Sequence, residues 1–182
     1  MTDAELVILS LVAEIPRHGY QIEQVIEERE MREWTELGFS SIYYLLNKLE
    51  NKELIASQLE QTSGRGPARK VYSITKDGWE ACQGGILEAL SEPPRPQSMF
   101  LLGMSNLPAV PRQEALAALQ HYAASLAERR EHLQERMKIR QGTFPFHVEA
   151  MFDFSLTMIQ AELAWLEKFI QQMEAQDGKE RL

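Results

Sequence analysis

Cysteine is almost absent from this 182-residue chain, with Cys82 alone, so neither a disulfide framework nor a thiolate metal cluster is available. No apolar run approaches the roughly 18 residues a membrane-spanning helix needs. No basic-then-apolar leader opens the sequence, so a cytoplasmic protein without membrane association is expected. Positive charge is scarce as well: 19 Lys and Arg stand against 27 Asp and Glu. Residues 1–92 hold 9 cations and 16 acids, a net of −7, with a concentration of acids in 23–36. Net charge therefore gives no long-range attraction to nucleic acid, and any such binding must come from a local patch.

Catalytic patterns are missing too. Gly64-Arg65-Gly66 lies among turn formers and opens no helix with Lys-Ser/Thr, so it is no phosphate-cradling loop. His147-Val148-Glu149 has the spacing of half a zinc-deaminase motif, without the Pro-Cys-x-x-Cys half. His121 and His132 would sit about 16 Å apart along one helix, too far for one ion. No enzyme, cofactor or metal site is expected.

What is present is most informative at residues 40–50. Ile42, Leu45, Leu46 and Leu49 recur at i, i+3, i+4, i+7 and predict a helix with one apolar stripe. Ser40, Tyr44, Asn47 and Asn51 fall opposite, flanked by Ser41, Tyr43 and Lys48. That face carries hydroxyls, amides and an ammonium, with no carboxylate in its middle. It suits phosphates and base edges in a major groove, although an ordinary solvated helix surface has similar composition.

The next segment decides between these readings. Ile55–Gln61 and Arg69–Thr75 read as the strands of a hairpin, joined by the turn formers Thr62–Pro67. From Thr62 to Lys76 the cations Arg65, Arg69, Lys70 and Lys76 meet no acid at all. Arg65, flanked by glycines, is free to approach a minor groove or phosphates. Two helices precede this unit. Residues 4–15 are apolar nearly all round, and Pro16 ends that helix. A second begins at His18-Gly19-Tyr20, with Ile22, Val25 and Ile26 inward and Glu23, Glu27, Glu28 and Glu30 outward. Thr75 should N-cap a fourth helix, supported by Asp77 in its first turn. Trp79, Cys82, Ile86 and Leu90 should close the core from that helix.

This arrangement resembles the PadR-type winged-helix transcriptional regulators over residues 5–90. The likeness is carried by the opening apolar helix, His18-Gly19-Tyr20, Ile42-Tyr43 with Leu46 and Leu49-Glu50, Gly66-Pro67 before Arg69-Lys70-Val71-Tyr72, and Ile74-Thr75 before Gly78. Ser40-Ser41-Ile42-Tyr43-Tyr44 stands where the family commonly has Gly-Thr-Leu-Tyr-Pro. The resemblance implies a dimeric repressor or activator placing its third helix and wing on operator DNA. It further implies that Tyr43 and the wing's Arg69-Lys70 touch the DNA backbone.

Beyond about residue 90 the organisation changes. Residues 91–97, with three prolines in four positions, read as a linker, so residues 1–90 and 98–182 are expected as separate domains. A short helix is expected at Met99–Leu102, then a long one from Pro111 to about Gln141. Leu116, Leu119, Ala123, Leu126, Leu133 and Met137 form a heptad-like seam interrupted by Arg130, for which Glu162 is a candidate partner. After Gly142-Thr-Phe-Pro145, residues 146–174 carry an apolar stripe too wide for one partner helix. That excess argues for a homodimer held through Leu119, Leu126, Leu133, Trp165, Leu166 and Phe169; a monomeric helical subdomain is the alternative. The aromatics Phe100, Tyr122, Phe144, Phe146, Phe152, Phe154 and Trp165 either line a small-molecule effector pocket or simply form core.

The expected fold is mostly α (α+β): a winged helix-turn-helix domain followed by a C-terminal helical dimerisation domain. The expected function is a homodimeric regulator that binds double-stranded palindromic operator DNA, most naturally as an effector-responsive repressor. A winged-helix protein-interaction module without DNA binding is the runner-up.

Overall fold

The computed structural model describes the chain apart from residues 34, 36, 39–40, 62–67, 94–98, 140–141, 143 and 181–182. It comprises two compact units, Met1–Arg95 and Pro96–Leu182. The described residues form seven helices and one three-stranded antiparallel sheet.

In the first unit, α1 (Asp3–Glu14) begins with a capping box between Thr2 and Glu5 and ends just before Pro16, which disfavours helix in the residue ahead of it. Ile8, Leu9, Leu11 and Val12 of α1 are wholly enclosed. They pack with Ile22 and Ile26 of α2 (Gly19–Glu28) and Ile42, Leu45, Leu46 and Leu49 of α3 (Ser41–Asn51). A 3₁₀ turn over Met31–Glu33 lies between α2 and α3. Glu23, expected outward, is buried instead, because Arg32 reaches back to its carboxylate at 2.7 Å.

The hairpin consists of β2 (Ile55–Glu60) and β3 (Arg69–Ile74), in register from Ile55↔Ile74 to Glu60↔Arg69. A two-residue strand, β1 (Arg17–His18), pairs with the other edge of β3 through Arg17↔Tyr72 and His18↔Val71. No alternation announces so short a strand, and sequence reading passes over it.

Thr75 caps α4 (Lys76–Ser91) as expected, accepting the Gly78 N–H at 3.0 Å. The expected core face of α4 is only partly realised. Cys82 is buried, but Trp79, Ile86 and Leu90 are exposed. The helix turns its small residues inward instead. Gly78 meets the Leu54 carbonyl so closely that an added Cβ would lie 2.0 Å from its oxygen, and a Cβ on Gly85 would strike Met1 and Leu6. Close approach through Gly78, Ala81, Cys82 and Gly85 rotates the bulky side chains away from the core.

The second unit contains α5 (Met99–Ser105), a 3₁₀ turn at Leu107–Ala109, α6 (Arg112–Ile139) and α7 (Phe146–Glu180). Leu119 and Leu126 of α6 pack with Ile159, Leu163 and Leu166 of α7, with Leu133 and Phe169 partly buried beside them. These residues recur every seven on α6 and every three or four on α7, the spacing of interlocking helices.

Glu5 is the least expected core residue. Its carboxylate is almost fully enclosed, with Lys52 at 2.7 Å and Lys48 at 3.1 Å. Burial alone would raise its pKa, but hydrogen bonds from Lys52, the Thr2 backbone and Lys48 hold it down to about 2, against an ordinary 4.5. The stabilisation is therefore fully present above about pH 4.5 and is lost as pH falls toward 2. Glu5→Gln should be less stable than the parent near neutral pH by on the order of 2 kcal/mol. In urea denaturation across pH 7 to 2.5 that gap should shrink below pH 5. A gap independent of pH would mean the ion pairs contribute nothing to stability.

Candidate nucleic-acid interface

With its apolar stripe committed to the core, α3 turns Tyr43, Tyr44, Asn47 and Asn51 outward. Tyr43 and Tyr44 are 56% and 64% exposed, an unusual concentration of amphipathic rings on one short polar face. Asn47 is exposed, and its side chain makes no hydrogen bond among the described residues. Ser41 bonds the Gly38 carbonyl at 2.5 Å, holding the first turn of α3. Ser40 lies outside the described residues. Lys48 is drawn sideways toward Glu5 and is only partly exposed, so the outer face is more nearly neutral than its sequence suggests.

β3 runs beside this face. Lys70 Nζ donates to Glu50 Oε2 at 2.6 Å and lies 5.2 Å above the Tyr72 ring. Ser57 donates to the other Glu50 oxygen at 2.5 Å. Lys70 and Ser57 together hold the Glu50 carboxyl below the usual range, and Glu50 in turn raises Lys70. Arg69 has no carboxylate within ion-pair distance among the described residues; its nearest polar neighbour is His18 Nε2, 3.3 Å from Nη1. Arg65 falls in the segment outside the described residues.

The structure brings Tyr43, Arg69 and Lys70 around one cleft of about 290 Å³, completed by His18, Gly19, Tyr20 and Tyr72. Gly19 leaves room for that ring: a Cβ at that position would lie 2.6 Å from the Tyr43 ring and force it to shift. His18 and Tyr20 were legible as the start of a helix but not as parts of a surface site. Only the β1–β3 pairing, invisible in sequence, carries them to Arg69.

Several of the head's acids are engaged by its other cations. Glu14 takes Arg17 at 2.8 Å and Arg29 at 2.6 Å. Arg32 takes both Glu23 and Glu27. Tyr43, Tyr44, Asn47 and Arg69 leave donors on the outer face of α3 and beside it, groups suited to phosphate and base edges.

In the second unit, Leu119, Leu126 and Leu166 are buried within their own chain, against the expectation that they are spent on a partner. Trp165, by contrast, is 45% exposed. It shares a face of α7 with Met151, Phe154 and Met158, all exposed. This stripe is separated by roughly 100° from the one that packs on α6. Phe100 meets Tyr122 at 5.1 Å and Trp165 edge-on at 5.9 Å, while Trp165 stacks on Phe169 at 5.1 Å. Glu162, expected opposite Arg130, accepts instead from the Tyr122 hydroxyl at 2.5 Å. Burial and that bond push the Tyr122 phenol up to about 12. Arg130 Nε is enclosed with no hydrogen-bond partner among the described residues.

No group of His, Cys, Asp and Glu suited to a metal ion occurs among the described residues. None of the described helices is long and apolar enough to cross a membrane.

Residues 8–83 match the model of the transcriptional regulator PadR-like family. No curated protein matches the sequence. Among solved structures, Bacillus subtilis PadR in complex with operator DNA is similar at 20% identity and a TM-score of 0.76, covering 93% of this chain and 98% of that one. The same regulator in complex with p-coumaric acid gives 19% identity and 0.75, with the same coverage. The PadR-like regulator BC1756 from Bacillus cereus gives 20% and 0.69, covering 96% of this chain and 99% of that one. At such identities the structural likeness is one of fold.

The Gly19–Tyr43 contact yields a direct test. Gly19→Ala forces the flexible Tyr43 ring aside at a cost of about 0.5–1.5 kcal/mol. The variant should fold, with the Tyr43 ring resonances shifted in NMR spectra. Unshifted Tyr43 resonances would mean the ring does not rest on Gly19 in solution.

Proposed function

We propose that this chain, whose residues 8–83 match the model of the transcriptional regulator PadR-like family, is a regulator of that kind and acts as a homodimer on palindromic operator DNA. In this reading α3 enters the major groove, β3 and the wing lie on the backbone, and a small molecule relieves repression. One observation carries it: the outer face of α3 exposes Tyr43, Tyr44 and Asn47, and Tyr43 shares a cleft with Arg69, which has no carboxylate partner among the described residues. Asn47 has the donor and acceptor needed to pair bidentately with adenine. Ser41, Tyr43, Lys48, Arg69 and Lys70 would position the helix on phosphates, with Ser40 and Arg65 extending the contact.

The dimer is supported by α7. One apolar stripe is satisfied by α6, whereas Met151, Phe154, Met158 and Trp165 form a second that nothing in the chain's described residues buries. A second copy covers such a stripe without exposing new apolar surface. Two linked heads can also occupy successive major grooves about 34 Å apart, making the second contact intramolecular. For the effector, the support is the aromatic group around Phe100, Tyr122 and Trp165, together with a relative solved with p-coumaric acid. The site of action would be the cytoplasm.

Titrating the full-length protein with its own promoter fragment at several salt concentrations tests the DNA reading. Affinity should fall steeply with salt. Arg69→Ala with Lys70→Ala should weaken all duplexes alike and lower the salt slope by roughly one to two. Asn47→Ala should cost roughly 1–3 kcal/mol on the operator and little on random DNA. Equal losses on both would make Asn47 a positioning residue. Absence of any duplex binding at low salt would sink the reading.

Assembly has its own test. Met158→Glu and Trp165→Glu place charge in the exposed stripe while sparing Leu126 and Leu166, which pack α6 against α7. Each should sediment as a folded monomer, with operator affinity down by about two orders of magnitude. A parent chain that is monomeric at micromolar concentration while binding operator tightly would rule the dimer out.

A further inference from the structure

The cleft at the start of α2 holds a mismatch of hydrogen-bonding groups. His18 is the N-cap of α2: its Nδ1 accepts the Gln21 N–H at 3.1 Å, and the Gln21 side chain accepts the His18 N–H at 3.0 Å. A neutral imidazole with Nδ1 committed as acceptor carries its proton on Nε2. That Nε2–H faces Arg69 Nη1 at 3.3 Å, and a guanidinium has only donors. Two donors thus converge with no acceptor between them.

The surroundings reinforce the imbalance. The β1–β3 pairing holds His18 opposite Val71, next to Lys70 and Arg69 in the chain. The Tyr43 hydroxyl is brought in by the packing of its ring on Gly19. The Tyr20 ring lies nearly parallel to His18, with centroids 6.4 Å apart. Glu60, paired with Arg69 in the strand register, is the acid whose charge reaches His18. It forms no ion pair with Arg69 among the described residues. Burial and the Arg69 charge hold the His18 pKa below its ordinary value, which keeps the ring neutral.

We propose that this cleft is a seat for one phosphodiester of the DNA backbone, bridged by His18 Nε2–H and Arg69, with the Tyr43 hydroxyl as a third donor. The inference rests on the DNA-binding reading above and adds the start of α2 to the contact surface. A phosphate oxygen supplies the acceptor that both donors lack, and charge-assisted hydrogen bonds of this kind are the strong ones. Contact to a phosphate carries no sequence information. The seat therefore acts on affinity and register, not on base preference.

The test uses the full-length protein at pH 8, where His18 is neutral, with a random-sequence duplex at low salt. His18→Asn keeps an N-cap acceptor but is too short to reach the cleft. It should retain the parent's melting temperature within a few degrees and bind random and operator DNA about tenfold more weakly, the scale of one hydrogen bond to a charged group. Its salt slope should match the parent's, since a neutral donor displaces no counterion, whereas Arg69→Ala lowers the slope by about one. If both residues grip the same phosphate, the double variant should bind only slightly worse than Arg69→Ala alone.

A folded His18→Asn that binds like the parent overturns this inference and leaves the DNA reading standing. Losses that simply multiply overturn the shared phosphate. A parent that binds no duplex overturns both. Titration with inorganic phosphate, followed by the His18 ring resonances, separates the sources. Saturable shifts from phosphate with none from duplex would assign the seat to a free anion and overturn the backbone assignment.

Discussion

A carboxylate buried among leucines cannot stay there unaccompanied, and the geometry of the whole head follows from how Glu5 is compensated. Desolvation opposes its charge. Lys48 near the end of α3 and Lys52 just beyond it supply the countercharge, while the capping box with Thr2 supplies neutral donors. The pairing pins the C-terminal half of α3 to the N-terminus of α1 at a fixed rotation. Ile42, Leu45, Leu46 and Leu49 then point into the core, and Tyr43, Tyr44 and Asn47 are left on the outside. Breaking one partner of such a buried set is costly because the remaining charge stays enclosed.

The same pairing logic explains how an acidic domain presents a DNA-compatible face. Net charge describes the field far away, but screening at physiological salt confines exposed charges to a range of about 8 Å. Within that range, arrangement matters more than the sum. Glu14 is engaged by Arg17 and Arg29, and Glu23 and Glu27 by Arg32, on the α1–α2 side of the head. Among the described residues Arg69 has no carboxylate at ion-pair distance beside the outer face of α3.

Much of this was legible in the sequence because it depended on periodicity. The stripe of α3, the Thr75 cap, the basic hairpin strand and the seams of α6 and α7 all announce themselves by spacing and by residue chemistry. The failures share a cause: each depended on a contact distant in sequence. β1 exists only because β3 accepts it. Trp79, Ile86 and Leu90 have a proper apolar spacing, but Gly78 and Gly85 permit so close an approach that the small face packs inward. Glu162 matched Arg130 in charge, yet the Tyr122 hydroxyl reached it. The cleft residues His18 and Tyr20 were visible only as part of a helix start.

Glu50 bears on how a regulated version of this head would work. One of its oxygens holds Lys70 on β3 and the other holds Ser57 on β2, while its own helix carries the exposed Tyr43, Tyr44 and Asn47. Tyr43 of that helix in turn rests on Gly19 at the start of α2. α3, the hairpin strands and the start of α2 are thus cross-tied by short polar and steric contacts. Reorienting one against another would break several of these at once, so the head has no low-cost internal motion through which to report a signal. Under the proposed dimer, the cheaper variable is the separation of two intact heads, because matching the groove spacing decides whether both bind together. An effector bound among the helices of the second unit need only favour one separation over another. Differential affinity for the two arrangements is sufficient.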